Sequence, residues 1–345
     1  MKAARLHRYH DQLKVEEVDE PRVVNPHDVV VRIGGAGLCR TDLHIQEGQW
    51  AKKSGVELPY TLGHENAGWV HEVGSAVTNV APGDTVILHP LVTCGLCRAC
   101  RAGDDVHCIN NVFPGIDVDG GFAELLKTTA RSVVKLAPTL HPKDVAALAD
   151  AGLTAYHAVR KAAPLLYPGT KVLVIGAGGL GHIGIQCLRA LTPAEIIVID
   201  PSERALVLAG ELGADHTLRV DGTQVDTVLE LTDGAGAEVI VDFVGEKGAI
   251  EDGVAMLRQA GSYFVVGYGE NINVPTIDII SREINFVGNL VGCYSDLDEL
   301  MTLTAQGRVR LHTSVYPLEA INDAMADLDN GRLQGRGILV PAGAA

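Results

Sequence analysis

The sequence has no long apolar run. Its longest, Val172 to Ile185, is broken by five glycines and falls short of the roughly 20 apolar residues that a bilayer crossing requires. The opening MKAARLHRYH alternates charge with small residues and has no apolar h-region, so a secretory leader is not expected. Positive charge is scarce as well: 28 basic against 43 acidic residues give a formal charge of −15, which disfavours phosphate backbones and anionic lipid surfaces as partners. Any phosphate-bearing ligand must therefore be held by a local device that overcomes this field. Solenoid-like repeats and low-complexity tracts are missing, apart from the small-residue tail PAGAA, which is expected to be mobile. The expectation is a cytoplasmic globular protein that engages neither nucleic acid nor membrane. Its 345 residues, 47% apolar, suffice for two substantial cores.

The two halves of the chain differ in texture. Up to about Asp150, short β-rich runs such as DVVVRI (28–33) and GWVHEV (68–73) are separated by Gly and Pro, which suits an irregular antiparallel β domain. Beyond it, KVLVI (171–175), EIIVI (195–199), EVIVDF (238–243), SYFVVG (262–267) and INFVGN (284–289) alternate with helical stretches. That alternation predicts βαβ units around a buried parallel sheet. The stretch PLEAINDAMADLDNGRLQGRGILV reads as one amphipathic helix, a stop at Gly331 and a short strand that packs back on the first domain.

Within KVLVIGAGGLGHIGIQCLRAL a strand runs into Gly176-Ala177-Gly178-Gly179-Leu180-Gly181 and then into a helix. This is G-x-G-x-x-G in the context that a dinucleotide requires. Gly176 permits the tight turn, Gly178 admits a pyrophosphate and Gly181 lets helix and strand pack closely. The helix N-terminus supplies free N–H groups and partial positive charge, which is the local device the overall acidity demands. Asp200, nineteen residues after Gly181, can accept from a ribose diol and would repel a 2'-phosphate. NAD is therefore expected over NADP, with Arg204 the only nearby positive charge. Gly267, at the end of SYFVVG, joins Gly179, Leu180 and Arg204 among the candidate cofactor-binding residues.

Four of the seven cysteines, Cys94, Cys97, Cys100 and Cys108, fall within TCGLCRACRAGDDVHC. In a reducing compartment such a cluster suits metal or redox chemistry better than a disulfide framework. Four thiolates fill a tetrahedral zinc shell and leave no open position, as a structural site requires. Ferredoxin-type runs share C-x2-C-x2-C but space the fourth cysteine differently and usually follow it with proline, whereas Ile109 follows Cys108. A catalytic metal needs a separate set with one position open. Cys39 in GLCRTDLH, His64 in TLGHENAG and Asp150 in ALADAGLTAYHAV have suitable donors, although spacing alone does not assign them.

Taken together, GLCRTDLH, GHENAG, the four-cysteine lobe, ADAGLTAYHA, GAGGLG followed by Asp200, and the closing GRGILV make the whole chain resemble the zinc-dependent medium-chain alcohol dehydrogenase family. The length resembles that of tetrameric bacterial and archaeal members acting on secondary alcohols and ketones. The resemblance implies an α/β fold: a GroES-like β-rich catalytic domain over 1–151 and 292–345, with a Rossmann doubly wound parallel-sheet domain over 152–291 inserted into it. It implies two zinc ions per chain and NAD. Cys39 and His64 match two catalytic zinc ligands, Asp150 stands where many members carry cysteine, and Glu65 is an alternate ligand. Asp42 matches the carboxylate that orients the histidine, Thr41 the hydroxyl on the substrate oxygen, His44 the solvent end of a proton relay, and Arg40 a contact to pyrophosphate. The implied reaction is hydride transfer to or from nicotinamide that interconverts an alcohol, expected to be secondary, and a ketone or aldehyde, with zinc polarising the oxygen. A homotetramer or homodimer is implied too. A polyol or amino-alcohol dehydrogenase is the nearest alternative, and a crystallin-like nucleotide-binding protein the non-enzyme one.

Overall fold

The computed structural model describes residues 1–343; Ala344 and Ala345, the end of the PAGAA tail, lie outside the described residues. The chain divides into two compact units, Met1–Leu153 with Cys293–Ala345, and Thr154–Gly292.

The first unit carries a seven-stranded sheet whose spine is the eleven-residue strand Asp28–Leu38. This strand runs five residues beyond DVVVRI because its glycines do not end it. A Cβ at Gly34 would lie 2.6 Å from the Trp69 ring, and one at Gly37 would lie 2.1 Å from Glu65 Oε2. Both glycines mark close approach of neighbouring groups to a continuing strand. Asp28–Leu38 pairs antiparallel with Glu65–Val73 and with Arg336–Val340, so Cys39, Glu65 and Arg336 are carried on adjoining strand ends. Leu6, Ile33, Leu38, Ile45, Leu62 and Phe122 are fully buried beneath the sheets. The closing segment forms the helix Ile321–Asp329, a turn with Gly331 at φ +63° and the strand Arg336–Val340. An edge strand absent from the sequence reading, Thr313–Pro317, pairs parallel with that last strand. It alternates exposure and ends in proline, a weak strand signal.

The second unit is a six-stranded parallel sheet. Across the sheet its strands run His216–Arg219, Glu195–Asp200, Lys171–Ile175, Ala237–Asp242, Leu257–Val265 and Asn285–Gly288. Counted in chain order within the unit this is 3-2-1-4-5-6, with a topological switch point between Lys171–Ile175 and Ala237–Asp242. His216–Arg219 was not anticipated, because four residues on a half-exposed edge carry little apolar pattern. Leu257–Val265 begins five residues ahead of SYFVVG and takes an irregular step at Ala260, φ +56°. Among the described residues no helix is long and apolar enough to cross a membrane.

Candidate active site and metal centres

Cys39 is the N-cap of the helix Arg40–Gln46, in extended conformation at φ −114°, ψ 156°. Asp42, wholly buried, accepts the Cys39 N–H through Oδ2 at 2.9 Å. Its other oxygen, Oδ1, lies 3.4 Å from His64 Nδ1. One carboxylate thus fixes the positions of a thiol and an imidazole. His64 is brought in by the turn at Gly63, where φ is +100° and a Cβ would strike Phe122 at 2.4 Å. The far side of its ring, Nε2, faces Asp150 Oδ2 at 3.5 Å, and Phe113 meets it edge-on with centroids 5.8 Å apart.

The donor atoms of Cys39, His64, Glu65 and Asp150 all lie within 4.8 Å of one another. Glu65 is otherwise engaged. Its Oε1 accepts the Ala151 N–H at 3.0 Å and its Oε2 accepts Arg336 Nη2 at 2.5 Å, with both side chains buried. Burial raises the Glu65 pKa, against the opposing pull of Arg336 and His64. For His64, burial acts to lower the pKa, but Asp42, Asp150 and Cys39 together hold it well above the usual histidine value. Both His64 ring nitrogens are buried without a hydrogen bond, a costly condition that a cation at Nε2 would relieve. Sulfur, nitrogen and carboxylate oxygen suit zinc, and three such donors leave a position open.

The second cluster joins Cys94, Cys97, Cys100 and Cys108, whose sulfurs also lie within 4.8 Å of one another. The Cys97 N–H points to Cys94 Sγ at 3.4 Å and the Cys94 N–H to Cys108 Sγ at 3.3 Å. Backbone N–H groups of Cys100 and Ile109 lower the Cys97 pKa to about 6, whereas burial pushes Cys100 upward. Gly95, at φ +71°, makes the turn. Four sulfurs aimed inward, each cysteine free of disulfide, fit a closed zinc shell.

Thr41 and His44 are both half-exposed on the helix that Cys39 caps, three apart and hence on one face. Arg40 is exposed at the start of that helix. Trp50 is half-buried against the core, and Leu91 is buried. The Tyr294 N–H reaches Asp105 Oδ1 at 3.0 Å and its hydroxyl reaches the Val133 carbonyl at 3.2 Å. Phe113 and Arg336 escaped the sequence reading. Nothing in the local pattern of NVFPG or QGRGI indicates contact with a histidine or a glutamate far away in the chain.

In the second unit the three glycines of the loop differ in their surroundings. Gly176 has φ +88°, and a Cβ there would lie 2.6 Å from Val244 Cγ2. A Cβ on Gly181 would lie 1.8 Å from the Gly176 carbonyl oxygen, whereas Gly178 is exposed with open space beside it. Gly179 and Leu180 are half-exposed, and Leu180 is the N-cap of the helix Gly181–Leu191. The open face at Gly178 is where a pyrophosphate could approach backbone N–H groups. Asp200, only 8% exposed, accepts the Ala177 N–H at 2.7 Å and the Ser202 N–H at 2.8 Å. A carboxylate has about four lone-pair sites, so capacity for a diol remains. Arg204 is exposed on the helix Glu203–Glu211, and the Gly267 N–H donates to the Asp242 carbonyl at 2.9 Å.

The alcohol dehydrogenase GroES-like domain family matches residues 25–138, and the zinc-binding dehydrogenase family matches residues 179–306. The crystal structure of the alcohol dehydrogenase from the archaeon Aeropyrum pernix superposes with a TM-score of 0.95 at 48% identity, over 99% of this chain and 100% of that one. An NAD-dependent alcohol dehydrogenase of Sulfolobus acidocaldarius is 36% identical over 98% of this chain and 99% of its own. A D-arabinose 1-dehydrogenase (NADP(+)) of Saccharolobus solfataricus is likewise 36% identical, over 99% of this chain and 97% of its own.

Proposed function

The chain belongs to the zinc-dependent medium-chain alcohol dehydrogenase family, and within it we propose an NAD-linked oxidoreductase that interconverts secondary alcohols and ketones through Cys39, His64 and Asp150. The observation that carries this reading is the convergence of those three donors within 4.8 Å, beside a carboxylate that already orients the imidazole. When bound, zinc supplies a Lewis acid for the alcohol or carbonyl oxygen and NAD supplies the hydride acceptor.

The chain's own part is to hold, orient and move a proton. His64 presents Nε2 because Asp42 stands at Nδ1, as metal-binding imidazoles generally require. Asp150 is the third ligand. Glu65 stays with Arg336 and the Ala151 N–H in the resting state and is the alternate ligand. Thr41 Oγ1 accepts the proton of the substrate hydroxyl as it passes its own onward, and His44 is the solvent end of that route. Cys94, Cys97, Cys100 and Cys108 hold a second, structural zinc. Gly176, Gly178, Gly179, Leu180, Gly181 and Gly267 shape the dinucleotide site. Asp200 accepts from the ribose hydroxyls, and Arg40 and Arg204 offer charge to phosphate.

A sugar or other polyol is the second reading, since one relative is named for D-arabinose. We further propose a cytoplasmic location, which seven free cysteines suit. A homotetramer or homodimer is proposed as well, supported by the outermost strand Asn285–Gly288 and by Ile277 and Ile280, 65% and 70% exposed on the preceding helix. The test is a panel of secondary alcohols, polyols and sugars, each with NAD and NADP, read by nicotinamide absorbance, with zinc counted per chain. Two zinc ions and turnover of secondary alcohols with NAD are expected. Turnover confined to sugars would replace the alcohol reading, and turnover without zinc would overturn it.

A further inference from the structure

The strand Ala237–Asp242 ends at the switch point of the parallel sheet, and its last residue is a wholly buried carboxylate. Asp242 Oδ1 accepts the N–H groups of Val244 at 2.8 Å and Gly245 at 3.0 Å, which ties the chain into a tight turn. Its Oδ2 accepts the hydroxyl of Tyr263 at 2.8 Å. Tyr263 comes from the next strand and is itself wholly buried. Space for its ring is made on the helix Ala249–Met256 by Gly253, where a Cβ would lie 2.5 Å from the ring edge.

The turn so fixed is wedged between two glycines. Val244 is the side chain that a Cβ on Gly176 would strike, and a Cβ on Gly267 would lie 2.4 Å from the Val244 carbonyl carbon. Phe243 packs against Gly184 of the helix that follows the glycine loop, where a Cβ would lie 2.6 Å from the ring. The Phe243 N–H also bonds to the Ile175 carbonyl at 3.0 Å, one residue before Gly176. With so little free space, the position of Val244 sets how far the Gly176–Gly181 loop can move towards it.

We propose that Asp242 and Tyr263 are positioning residues for the dinucleotide, forming a buried buttress that holds the Phe243–Gly245 turn against Gly176. Both residues are wholly buried, so they act through the turn and not by direct contact with the dinucleotide. The proposal rests on the NAD reading above. Removing the Tyr263 hydroxyl leaves Asp242 Oδ2 unpaired in a buried site, and the turn can then drift from the loop that it supports.

The test uses the zinc-loaded full chain with NADH as the probe. In Tyr263→Phe the Kd for NADH, followed by fluorescence, should rise about tenfold, the scale expected when one buried acceptor is left unpaired. KM for NAD should rise more than kcat falls. Val239→Ala, a cavity variant in the same strand, serves as the control: at equal loss of thermal stability it should leave the NADH Kd within about twofold of wild type, since three residues along a strand place its side chain on the face opposite that of Asp242. If Tyr263→Phe does not fold, Asp242→Asn replaces it, with a shift in the same direction. Hydrogen exchange on the cofactor-free chain tests the buttress without NAD: the Val244 and Gly245 amides should exchange at least about tenfold faster in the variant. Unchanged NADH affinity together with unchanged exchange overturns the proposal. Faster exchange in a chain whose wild type binds no NADH overturns the NAD reading and leaves the buttress standing.

Discussion

Asp42 Oδ1 stands 3.4 Å from His64 Nδ1, while Asp42 Oδ2 accepts the Cys39 N–H. The proposed thiolate and imidazole ligands are therefore positioned by one side chain. Asp42→Ala should lower catalytic-metal affinity or turnover by about 10–100-fold with a preserved fold. Zinc content after dialysis and kcat at saturating substrate check this. Full zinc retention with normal kcat would remove Asp42 from the site.

The two carboxylates beside His64 predict opposite outcomes. Asp150→Asn should lose metal from the mixed-donor site and keep its stability, because an amide is a poorer zinc ligand. Glu65→Gln should retain metal but lose about 3–5 kcal/mol of stability, the scale for a buried charge left without its partner, since Arg336 is 4% exposed. Zinc counts and chemical denaturation of both variants decide the matter, and an exchange of these two outcomes would make Glu65 the ligand.

Cys100→Ser opens the four-sulfur shell. Stability should fall, because structural zinc contributes folding free energy directly, while the fraction that remains folded keeps its turnover number. Undiminished stability with abolished turnover would place the chemistry in the lobe.

Asp200→Gly should raise the ratio of kcat/KM for NADP to that for NAD by at least about tenfold, since the variant no longer sets a carboxylate against a 2'-phosphate. It should also weaken NAD binding, because the Ala177 N–H loses its acceptor. A wild-type enzyme that favours NADP would show that Asp200 does not face the ribose.

Acid stability should depend on Asp28, at the head of the strand that delivers Cys39. Burial pushes its pKa up, but the N–H groups of Asn25 and Val24, at 2.8 and 3.0 Å, outweigh burial and hold it below the ordinary 3.8. A lowered native pKa gives stability that is fully present above 3.8 and lost as pH falls through the native value. Asp28→Asn should cost about 1 kcal/mol at pH 7, and the difference from wild type should vanish in strong acid. Denaturation curves across pH check the sign; a difference that grows towards acid would refute it.

The parallel sheet was legible in the sequence because its strands are buried on both faces and so appear as continuous runs such as KVLVI and EIIVI. The glycine loop and the four cysteines were legible because their chemistry is local, with all participants inside one short stretch. What could not be read was set by distant partners. GGAGL resembles a strand end until Trp69 and Glu65 are seen filling the space beside its glycines. Arg336 passes for a polar residue at the start of a last strand, and Tyr263 for core packing. The carboxylates they serve, Glu65 and Asp242, are brought to them by strand pairing across the sheet.

Arg336 and Glu65 are 271 positions apart, and this gives the proposed zinc site a history. At synthesis rates of about 5–20 residues per second, roughly 15–55 s separate the appearance of the acid from that of its counter-charge. Through that interval Cys39, His64 and Glu65 have already emerged, but Glu65 cannot enter the interior as an ion without leaving its charge uncompensated. The buried Glu65–Arg336 pair beside the proposed zinc site can form only after the last strand has been made. A nascent chain halted before Arg336 should hold metal in its four-cysteine lobe while the mixed-donor site stays loose and exchangeable.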